Sequence, residues 1–211
     1  YIMARTLFTS RAISYDSTAS TARAELGRTF RLDLQFMEQV HGDRAICVDQ
    51  TLEIAPQCDA LITRAPGIGL AVMVADCLPI LIDGGDVVAA VHAGRKGITF
   101  RIIEKTISEM LKVSDAPIAA YSAQIGPSIC SRCYEVSPEM YREVIAEFPE
   151  ATTSPESHSL DLQAVAVRQL ISSGLAPSSI MDWGVCTLES SNHFSYRGGD
   201  RTEREVGVIS L

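Results

Sequence analysis

AVMVADCLPILIDG, residues 71–84, is the stretch of this 211-residue sequence that says most about its fold. The apolar residues on either side of its centre are typical of strands that are buried on both faces. Asp76 and Cys77 interrupt this apolar run, and the nitrogen of Pro79 cannot donate to a sheet ladder. We therefore predict that ladder pairing stops at Pro79 and that the strand bends there, which turns the Cys77 thiol out of the core.

The segments around this stretch predict an α/β fold, with α+β as the variant. No repeat or linker divides the chain, so we expect a single compact domain over residues 1–211, in which helices flank a mixed sheet. The irregular order of the elements lacks the steady β-α-β rhythm of a doubly wound nucleotide fold. Strands are predicted over 44–49, 59–63, 68–75, 78–82, 86–92, 117–125, 180–185 and 205–210, and helices over 97–112, 137–148 and 161–173.

Composition narrows the class of protein. Apolar residues make up 46% of the chain and charged residues 21%, which are ordinary values for a globular protein. No apolar run is long enough to span a bilayer, and no secretory signal pattern is visible at the start. The net charge of −8, without any basic run, argues against nucleic acid as a partner. Six widely spread cysteines indicate reduced thiols, so we expect a cytoplasmic protein.

Two histidines and one cysteine are candidate metal ligands. His41 and His92 each lie at a predicted strand end beside a glycine, and Cys77 lies in the stretch quoted above. Their spacing is far wider than that of zinc fingers, so the fold would have to assemble such a site, as it does for catalytic metals. Buried packing residues are the alternative. The single pair Cys130-x-x-Cys133 fits a redox pair, half of a zinc site or an incidental spacing.

Several short motifs follow one another along residues 36–211. They are QVHG (39–42), DALIT (59–63), ADCLPI (75–80), VHAG (91–94), IGP (125–127), CYEV (133–136), CT (186–187) and FSYR (194–197). In order and approximate spacing they resemble the YfiH-type laccase-domain family, also called multicopper polyphenol oxidase-like proteins or purine nucleoside phosphorylases. Each motif alone is weak, and their joint occurrence is specific.

The resemblance implies a compact α/β fold in which His41, Cys77 and His92 bind one zinc ion. It also implies phosphorolysis of adenosine, inosine, guanosine or methylthioadenosine, and deamination of adenosine. The expected partners are then a nucleoside and phosphate, and the sequence leaves self-association into a homo-oligomer open. Other names in the family imply hydrolytic editing of peptidoglycan precursors, or oxidation of polyphenols with copper.

Such a zinc site needs acid–base groups and a cradle for phosphate. A zinc ion with an open position can activate water for attack on adenine if a carboxylate shuttles the proton. Asp59 and Asp76 are candidates for that role or for orienting a ligand, with Glu135 behind them. The candidate phosphate-binding cations are, in chain order, Arg11, Lys96 and Arg197.

The chain departs from the family where HAGWRG is usual. Residues 92–97 read HAGRKG, so that Arg95 replaces a tryptophan and Lys96 replaces an arginine. Lysine keeps the charge but loses the planar fork that binds phosphate through two hydrogen bonds. The predicted zinc ligands are intact, so this change bears on substrate preference and on the strength of the activity.

Three other functions fit parts of the sequence. A ligand set of two histidines and one cysteine occurs in blue-copper centres, but a multicopper oxidase also needs an imidazole-rich cluster, and only two more histidines remain. Alternatively, Cys77 and His92 could form a metal-free hydrolase dyad, and cleavage of a peptidoglycan-precursor amide fits either this dyad or the zinc site. A zinc-stabilised interaction protein without catalysis is the third possibility.

Overall fold

The structure is a computed structural model, and it describes residues 4–13, 15–16, 20–153 and 156–211. These residues form a mixed α/β domain. The strands are β1 (Arg5–Phe8), β2 (Tyr15–Asp16), β3 (Asp33–Phe36), β4 (Ala45–Cys47), β5 (Ala60–Thr63), β6 (Ile68–Val74), β7 (Leu78–Asp83), β8 (Val88–Ala93), β9 (Ser122–Ile125), β10 (Ile180–Asp182) and β11 (Glu203–Ser210). The helices are α1 (Ser20–Phe30), α2 (Arg95–Thr99), α3 (Ile102–Val113), α4 (Pro138–Glu147) and α5 (Leu162–Ser172).

The described strands form two mixed sheets. One has five strands, in the order β1-β11-β6-β3 with β2 paired to β11, and its β3–β6 pair is parallel. The other has six strands, in the order β10-β9-β7-β8-β5-β4, with a parallel pair at each edge. The α/β prediction is therefore confirmed, with two mixed sheets where we predicted one.

The two sheets pack face to face between two layers of helices. Leu70, Val72 and Val74 of β6 point into the core between the sheets, where they meet Leu81 of β7 and Val88 of β8. Each such side chain contributes about 1.5–3 kcal/mol when it is fully buried. Helix α1 covers the outer face of the five-stranded sheet. Helices α3, α4 and α5 pack on the outer face of the six-stranded sheet.

The stretch that we singled out passes from one sheet to the other. Strand β6 ends at Val74, residues 75–77 form a bend, and β7 begins at Leu78 in the six-stranded sheet. Asp76 lies at the corner with φ +87°, a backbone conformation that is rare for residues other than glycine. The three polar or small residues at the centre of the stretch are therefore the crossover between two buried strands.

The prediction that Pro79 ends ladder pairing is wrong. Pro79 lies inside β7, opposite His92 of β8, and its carbonyl accepts a hydrogen bond from the N–H of Gly126 at 2.9 Å. In a strand, the nitrogen and the carbonyl of one residue point to the same side. The missing N–H of Pro79 therefore faces the end of β9, and the ladder to β8 is undisturbed.

Other element boundaries differ from the prediction. The predicted helix over 97–112 is two helices, α2 and α3, separated at Arg101, whose φ is +62°. Ile98, Ile102 and Ile103 are buried on both sides of this break, so the apolar pattern does not reveal it. The first part of the predicted strand over 117–125 is a 3-10 turn. Within the part of the chain that the structure describes, no helix is long and apolar enough to cross a membrane.

Candidate active site

Three of the predicted site residues meet at one end of the six-stranded sheet. His41 lies in the loop before β4, Cys77 immediately precedes β7, and His92 lies near the end of β8. Their potential ligand atoms all lie within 4.8 Å of one another. Nε2 of His41 is 3.9 Å from Sγ of Cys77, and the two imidazole rings meet edge to face with centroids 4.7 Å apart.

The glycine that follows His92 by two residues permits this close approach. A Cβ atom on Gly94 would lie 2.9 Å from Sγ of Cys77 and 3.1 Å from Cδ2 of His41. Carbon atoms do not approach other side chains that closely without displacing them. The sequence VHAG is therefore explained by packing, because its last residue, Gly94, leaves room for the ligand atoms.

Asp59 is fully buried behind this cluster and holds two of its members. Its Oδ1 accepts hydrogen bonds from the backbone N–H of His41 at 2.9 Å and from Nδ1 of His92 at 2.7 Å. Its Oδ2 accepts from the backbone N–H of Gly42 at 2.7 Å and of Val40 at 3.3 Å. Because Nδ1 of His92 faces a carboxylate, its Nε2 is the nitrogen that is free to act as a ligand.

The electrostatics of the cluster favour a thiolate. Burial raises the pKa of Cys77, but contacts with His41 and His92 outweigh burial and lower it to about 6. Burial lowers the pKa of His92, but Asp59 and Cys77 outweigh it and raise that pKa to about 9. Burial likewise raises the pKa of Asp59, and the hydrogen bonds from His92, Gly42 and His41 bring it below its ordinary value.

This donor set suits a divalent transition metal. One thiolate and two imidazole nitrogens are ligands that zinc and copper both accept. The carboxylate behind His92 is the usual outer partner of a metal-bound histidine, because it fixes the tautomer and the ring orientation. His41, Cys77 and His92 could therefore hold one metal ion at this position.

The three side chains line a cavity of about 920 Å³. This volume is at the upper end of the range for small-molecule sites. Tyr134, Tyr196, Arg197 and Arg204 also line the cavity, so it combines aromatic faces with two guanidinium groups. Burial raises the pKa of Tyr134, which keeps its hydroxyl protonated at neutral pH.

Asp76 links the crossover at residues 75–77 to the segments that contain Thr187 and Arg197. Its Oδ1 accepts a hydrogen bond from the hydroxyl of Thr187 at 2.7 Å, and its Oδ2 accepts from the backbone N–H of Arg197 at 2.7 Å. His41 and Asp76 both have positive φ, at +58° and +87°. Such conformations in residues other than glycine concentrate at functional sites.

The structure places the remaining predicted residues at different distances from the cavity. Glu135 does not line it, and its carbonyl accepts from the guanidinium of Arg197 at 2.8 Å. Lys96 is exposed on α2 and is not among the lining residues. Arg11 is also outside the lining: it pairs with Asp200 and lies 4.5 Å from the ring centroid of Phe194.

Sequence reasoning gave no role to Tyr134, Tyr196 or Arg204, all of which line the cavity. The two tyrosines lie within the CYEV and FSYR motifs that we quoted, so their neighbourhood was visible although their role was not. Arg204 is a lone cation in the last strand, and only its place beside β6 brings it to the cavity. No spacing rule in the sequence could have found it.

The other two histidines lie apart from this cluster. The ring of His158 packs edge to face on Tyr141, with centroids 5.5 Å apart. His193 contacts the buried Glu205, with 2.8 Å between Nδ1 and Oε1. Burial raises the pKa of Glu205 to about 8. Among the described residues, therefore, only His41 and His92 bring imidazole to the cavity.

Comparisons with known proteins agree with the motifs. The family model described as multi-copper polyphenol oxidoreductase laccase matches residues 15–211. A purine nucleoside phosphorylase of Streptomyces coelicolor is 36% identical over 210 residues, which cover 95% of this chain and 86% of that protein. A purine nucleoside phosphorylase of Corynebacterium glutamicum is 37% identical over 183 residues, which cover 83% of this chain and 73% of that protein.

Solved structures show the same fold. The crystal structure of the hypothetical protein YfiH from Bacillus licheniformis superposes with a TM-score of 0.87 at 24% identity, over 99% of this chain and 92% of that chain. A crystal structure of a protein from Neisseria meningitidis superposes with a TM-score of 0.86 at 25% identity, over 99% of this chain and 94% of that chain. The predicted resemblance is confirmed, and the chain belongs to the YfiH-type family described as multi-copper polyphenol oxidoreductase laccase.

Proposed function

We propose that this protein is a zinc-dependent purine nucleoside phosphorylase. The observation that carries the proposal is the meeting of His41, Cys77 and His92 at the wall of a cavity that two arginines and two tyrosines also line. The names of the relatives support it, because those at 36% and 37% identity are called purine nucleoside phosphorylases. Phosphorolysis uses no redox equivalent, so the proposal requires no redox cofactor.

Zinc is the metal that we assign to the three-residue cluster. A Zn²⁺ ion held by these side chains would supply Lewis acidity and positive charge beside the substrate. Asp59 orients His92 through its Nδ1 and fixes the loop of His41 through backbone N–H groups. The ligands are thereby held in place before substrate arrives, which lowers the cost of ordering them.

Arg197 and Arg204 are the groups that we assign to phosphate binding. Both line the cavity, whereas Lys96 and Arg11 do not. A guanidinium presents paired N–H donors to a phosphate, and such charge-assisted hydrogen bonds are stronger than neutral ones. Phosphate bound there would approach C1′ of the ribose from within the same cavity. The two altered residues of the HAGRKG segment, Arg95 and Lys96, are not among the lining residues.

The tyrosines and one carboxylate complete the proposed chemistry. Tyr134 and Tyr196 offer aromatic faces for a purine ring. In the reaction, the bond between C1′ and the purine nitrogen breaks, C1′ bonds to an oxygen of hydrogen phosphate, and the proton that this phosphate loses passes to the purine nitrogen. Asp76 lines the cavity, and we assign it the movement of that proton.

Deamination of adenosine is the second activity that we assign to the same site. It replaces the 6-amino group of adenine with oxygen from water and releases ammonia. Zinc deaminases need an accessible metal and a nearby carboxyl that moves protons. We assign the first requirement to the cluster at the cavity wall and the second to Asp76, which lines the same cavity.

Product analysis tests both activities. Zinc-loaded protein is incubated with adenosine in the presence and absence of inorganic phosphate, and the bases and nucleosides are separated by chromatography. We expect adenine and ribose 1-phosphate only when phosphate is present, and inosine in both samples. Cys77→Ser should abolish all products, and Cys47→Ser, at an exposed cysteine, should leave them unchanged. Absence of adenine and inosine from folded, zinc-loaded protein would reject the proposal.

A metal-free hydrolase that edits peptidoglycan precursors is the second candidate. The observation in its favour is the proximity of Cys77 to His92, because a thiolate beside an imidazolium is a nucleophile. Iodoacetamide distinguishes the two. We expect zinc to protect Cys77 from alkylation, and alkylation at the same rate with and without zinc would favour the hydrolase. A multicopper oxidase would require further imidazoles beside the cluster, and His158 and His193 lie apart from it.

A further inference from the structure

A second group of possible metal ligands lies apart from the proposed active site. Cys130, Cys133, Cys186 and Glu189 each bring one ligand atom to within 4.8 Å of the others. We call these four residues the cysteine cluster. Cys186 is buried, Cys130 and Cys133 are half-buried, and the carboxylate of Glu189 is exposed, so the cluster is open to solvent on one side.

Two similar turns present the four side chains. Cys130 and Cys133 occupy the ends of one turn, which is closed by a hydrogen bond from the N–H of Cys133 to the carbonyl of Cys130 at 3.0 Å. Cys186 and Glu189 have the same spacing in a second turn, in which the N–H of Ser190, one residue after Glu189, donates to the carbonyl of Cys186 at 3.0 Å. Pairs of ligands separated by two other residues are the usual building blocks of structural zinc sites.

The backbone fixes the two turns against each other. Ser128 and Cys186 form a short parallel bridge, in which the N–H of Thr187 donates to the carbonyl of Ser128 at 3.1 Å. The N–H of Cys130 points at Sγ of Cys186, 3.4 Å away. The side chains are therefore brought together by main-chain hydrogen bonds of the fold, and their convergence does not depend on the rotamers alone.

The cluster brings three sulfur atoms together, and Arg132 is a cation beside them. Sγ of Cys133 lies 3.6 Å from Oε1 of Glu189. The guanidinium of Arg132 contacts both oxygens of Glu189 at 2.9 and 3.0 Å, so it balances the carboxylate. A divalent cation would let the three sulfurs be thiolates together, because it offsets their mutual repulsion.

We propose that Cys130, Cys133, Cys186 and Glu189 form a second metal site, which holds a structural Zn²⁺ ion. Three thiolates and one carboxylate complete the four ligands that a closed zinc site uses. A disulfide would join two of the cysteines and leave the third unpaired, whereas one ion uses all four side chains. Arg132 can keep a hydrogen bond to the second oxygen of Glu189.

The ion would join the two segments that build one wall of the cavity. Tyr134, which directly follows Cys133, lines the cavity. Thr187 directly follows Cys186, and its hydroxyl donates a hydrogen bond to Oδ1 of Asp76 at 2.7 Å. The second site therefore stabilises the position of an aromatic ring and of the crossover carboxylate, although none of its ligands lines the cavity.

Metal analysis of the full chain tests the proposal without reference to enzymatic activity. Protein purified with zinc and a thiol reductant is dialysed, and zinc is counted by elemental mass spectrometry. We expect two ions per chain in the wild type and in Cys47→Ser. We expect one ion in His41→Ala/Cys77→Ser, which lacks the first site, and one in Cys130→Ser/Cys133→Ser.

Cobalt identifies the ligands in the variant that keeps the cysteine cluster intact. His41→Ala/Cys77→Ser loaded with Co²⁺ should show the visible bands of a tetrahedral ion and a strong ultraviolet charge-transfer band from thiolates. Adding Cys133→Ser should weaken that band by about one third, since one of three cobalt–sulfur bonds is lost. Because all four proposed ligands remain in the first sample, misfolding of a cluster variant cannot hide the answer.

Two results would overturn the proposal. One is folded, fully reduced His41→Ala/Cys77→Ser that binds no zinc or cobalt. The other is a disulfide among Cys130, Cys133 and Cys186 in protein purified without reductant but with zinc, detected in non-reduced peptides. Neither result touches the proposed phosphorolysis, because the first sample lacks the active-site ligands by design.

Discussion

Replacing Asp59 with asparagine tests whether this buried carboxylate holds the proposed metal ligands in place. The substitution keeps the size of the side chain but turns one of the two oxygens into an NH₂ group. Oδ1 accepts from His41 and His92, and Oδ2 accepts from Gly42 and Val40. Whichever way the amide is turned, two N–H donors then face the donor NH₂ group.

The structure gives the size of the effect. Each buried donor that loses its acceptor costs about 1–3 kcal/mol, so two cost about 2–6 kcal/mol of folding free energy. Loss of an outer partner of a metal-bound histidine weakens metal binding by about 10–100-fold, or about 1.4–2.7 kcal/mol. Asp59→Asn should therefore lower both the unfolding temperature and the affinity for zinc, provided that His92 is a ligand.

Zinc affinity is measured by competition with a chromophoric chelator in the Cys130→Ser/Cys133→Ser background, so that one site is titrated. Asp86→Asn is the matched control, because Asp86 also accepts a backbone N–H, from Asp115 at 2.9 Å, but lies near the other end of β8. We expect the control to bind zinc as the background does. Folded Asp59→Asn protein with an unchanged dissociation constant would refute the orienting role.

Three further predictions follow from single contacts. Gly94→Ala should weaken zinc binding at least tenfold in the same competition assay, because the Cβ of the alanine would lie 2.9 Å from Sγ of Cys77. An unchanged affinity for zinc would contradict the packing argument. Arg204→Ala should raise the KM for phosphate by about 10–100-fold and change the KM for adenosine little, because one charge-assisted contact with phosphate is lost. A change in the KM for adenosine alone would contradict the assignment of Arg204 to phosphate. Glu205 has a folded-state pKa of about 8 against an ordinary value of 4.5, so its contribution to stability is complete below pH 4.5 and is lost as the pH rises through 8. Glu205→Gln resembles the protonated form, so the difference between its melting temperature and that of the wild type should grow in its favour from pH 5 to pH 9. A difference that does not change with pH would count against this pKa.

The strands of the core could be predicted because burial on both faces leaves a clear apolar run. Strands β5, β6, β7 and β8 were predicted within about two residues of their observed ends. Their division between two sheets was not predicted. The three-residue connection between β6 and β7 suggests paired strands, but β6 pairs with β3 and β11 in one sheet, and β7 pairs with β8 and β9 in the other.

The N-terminal elements were missed for a different reason. Strands β1 and β3 have four residues each, and such short segments carry little periodicity. Helix α1, with the sequence STARAELGRTF, has few apolar residues and therefore a weak amphipathic pattern. These elements form because β6 and β11 offer pairing edges and an apolar face, which is information held elsewhere in the chain.

The candidate site could be predicted only as a set of motifs. His41, Cys77 and His92 were singled out by their neighbours in the sequence, and their separation gave no distance between them. Asp59 lies beside β5, and its contacts with three loop N–H groups follow from the fold. Arg204 reaches the cavity through the pairing of β11 with β6, which joins residues more than one hundred positions apart.

Reconstitution of the metal-free chain tests the central claim most directly. Protein stripped of metal is titrated with Zn²⁺, and the initial rate of phosphate-dependent adenine release from adenosine is measured at each step. The account predicts that the rate rises to a plateau within two equivalents in the wild type. It also predicts that the rate stays at background in Cys77→Ser, although that variant still binds one ion. Equal rates in the metal-free and zinc-loaded wild type, or full activity in Cys77→Ser, would contradict it.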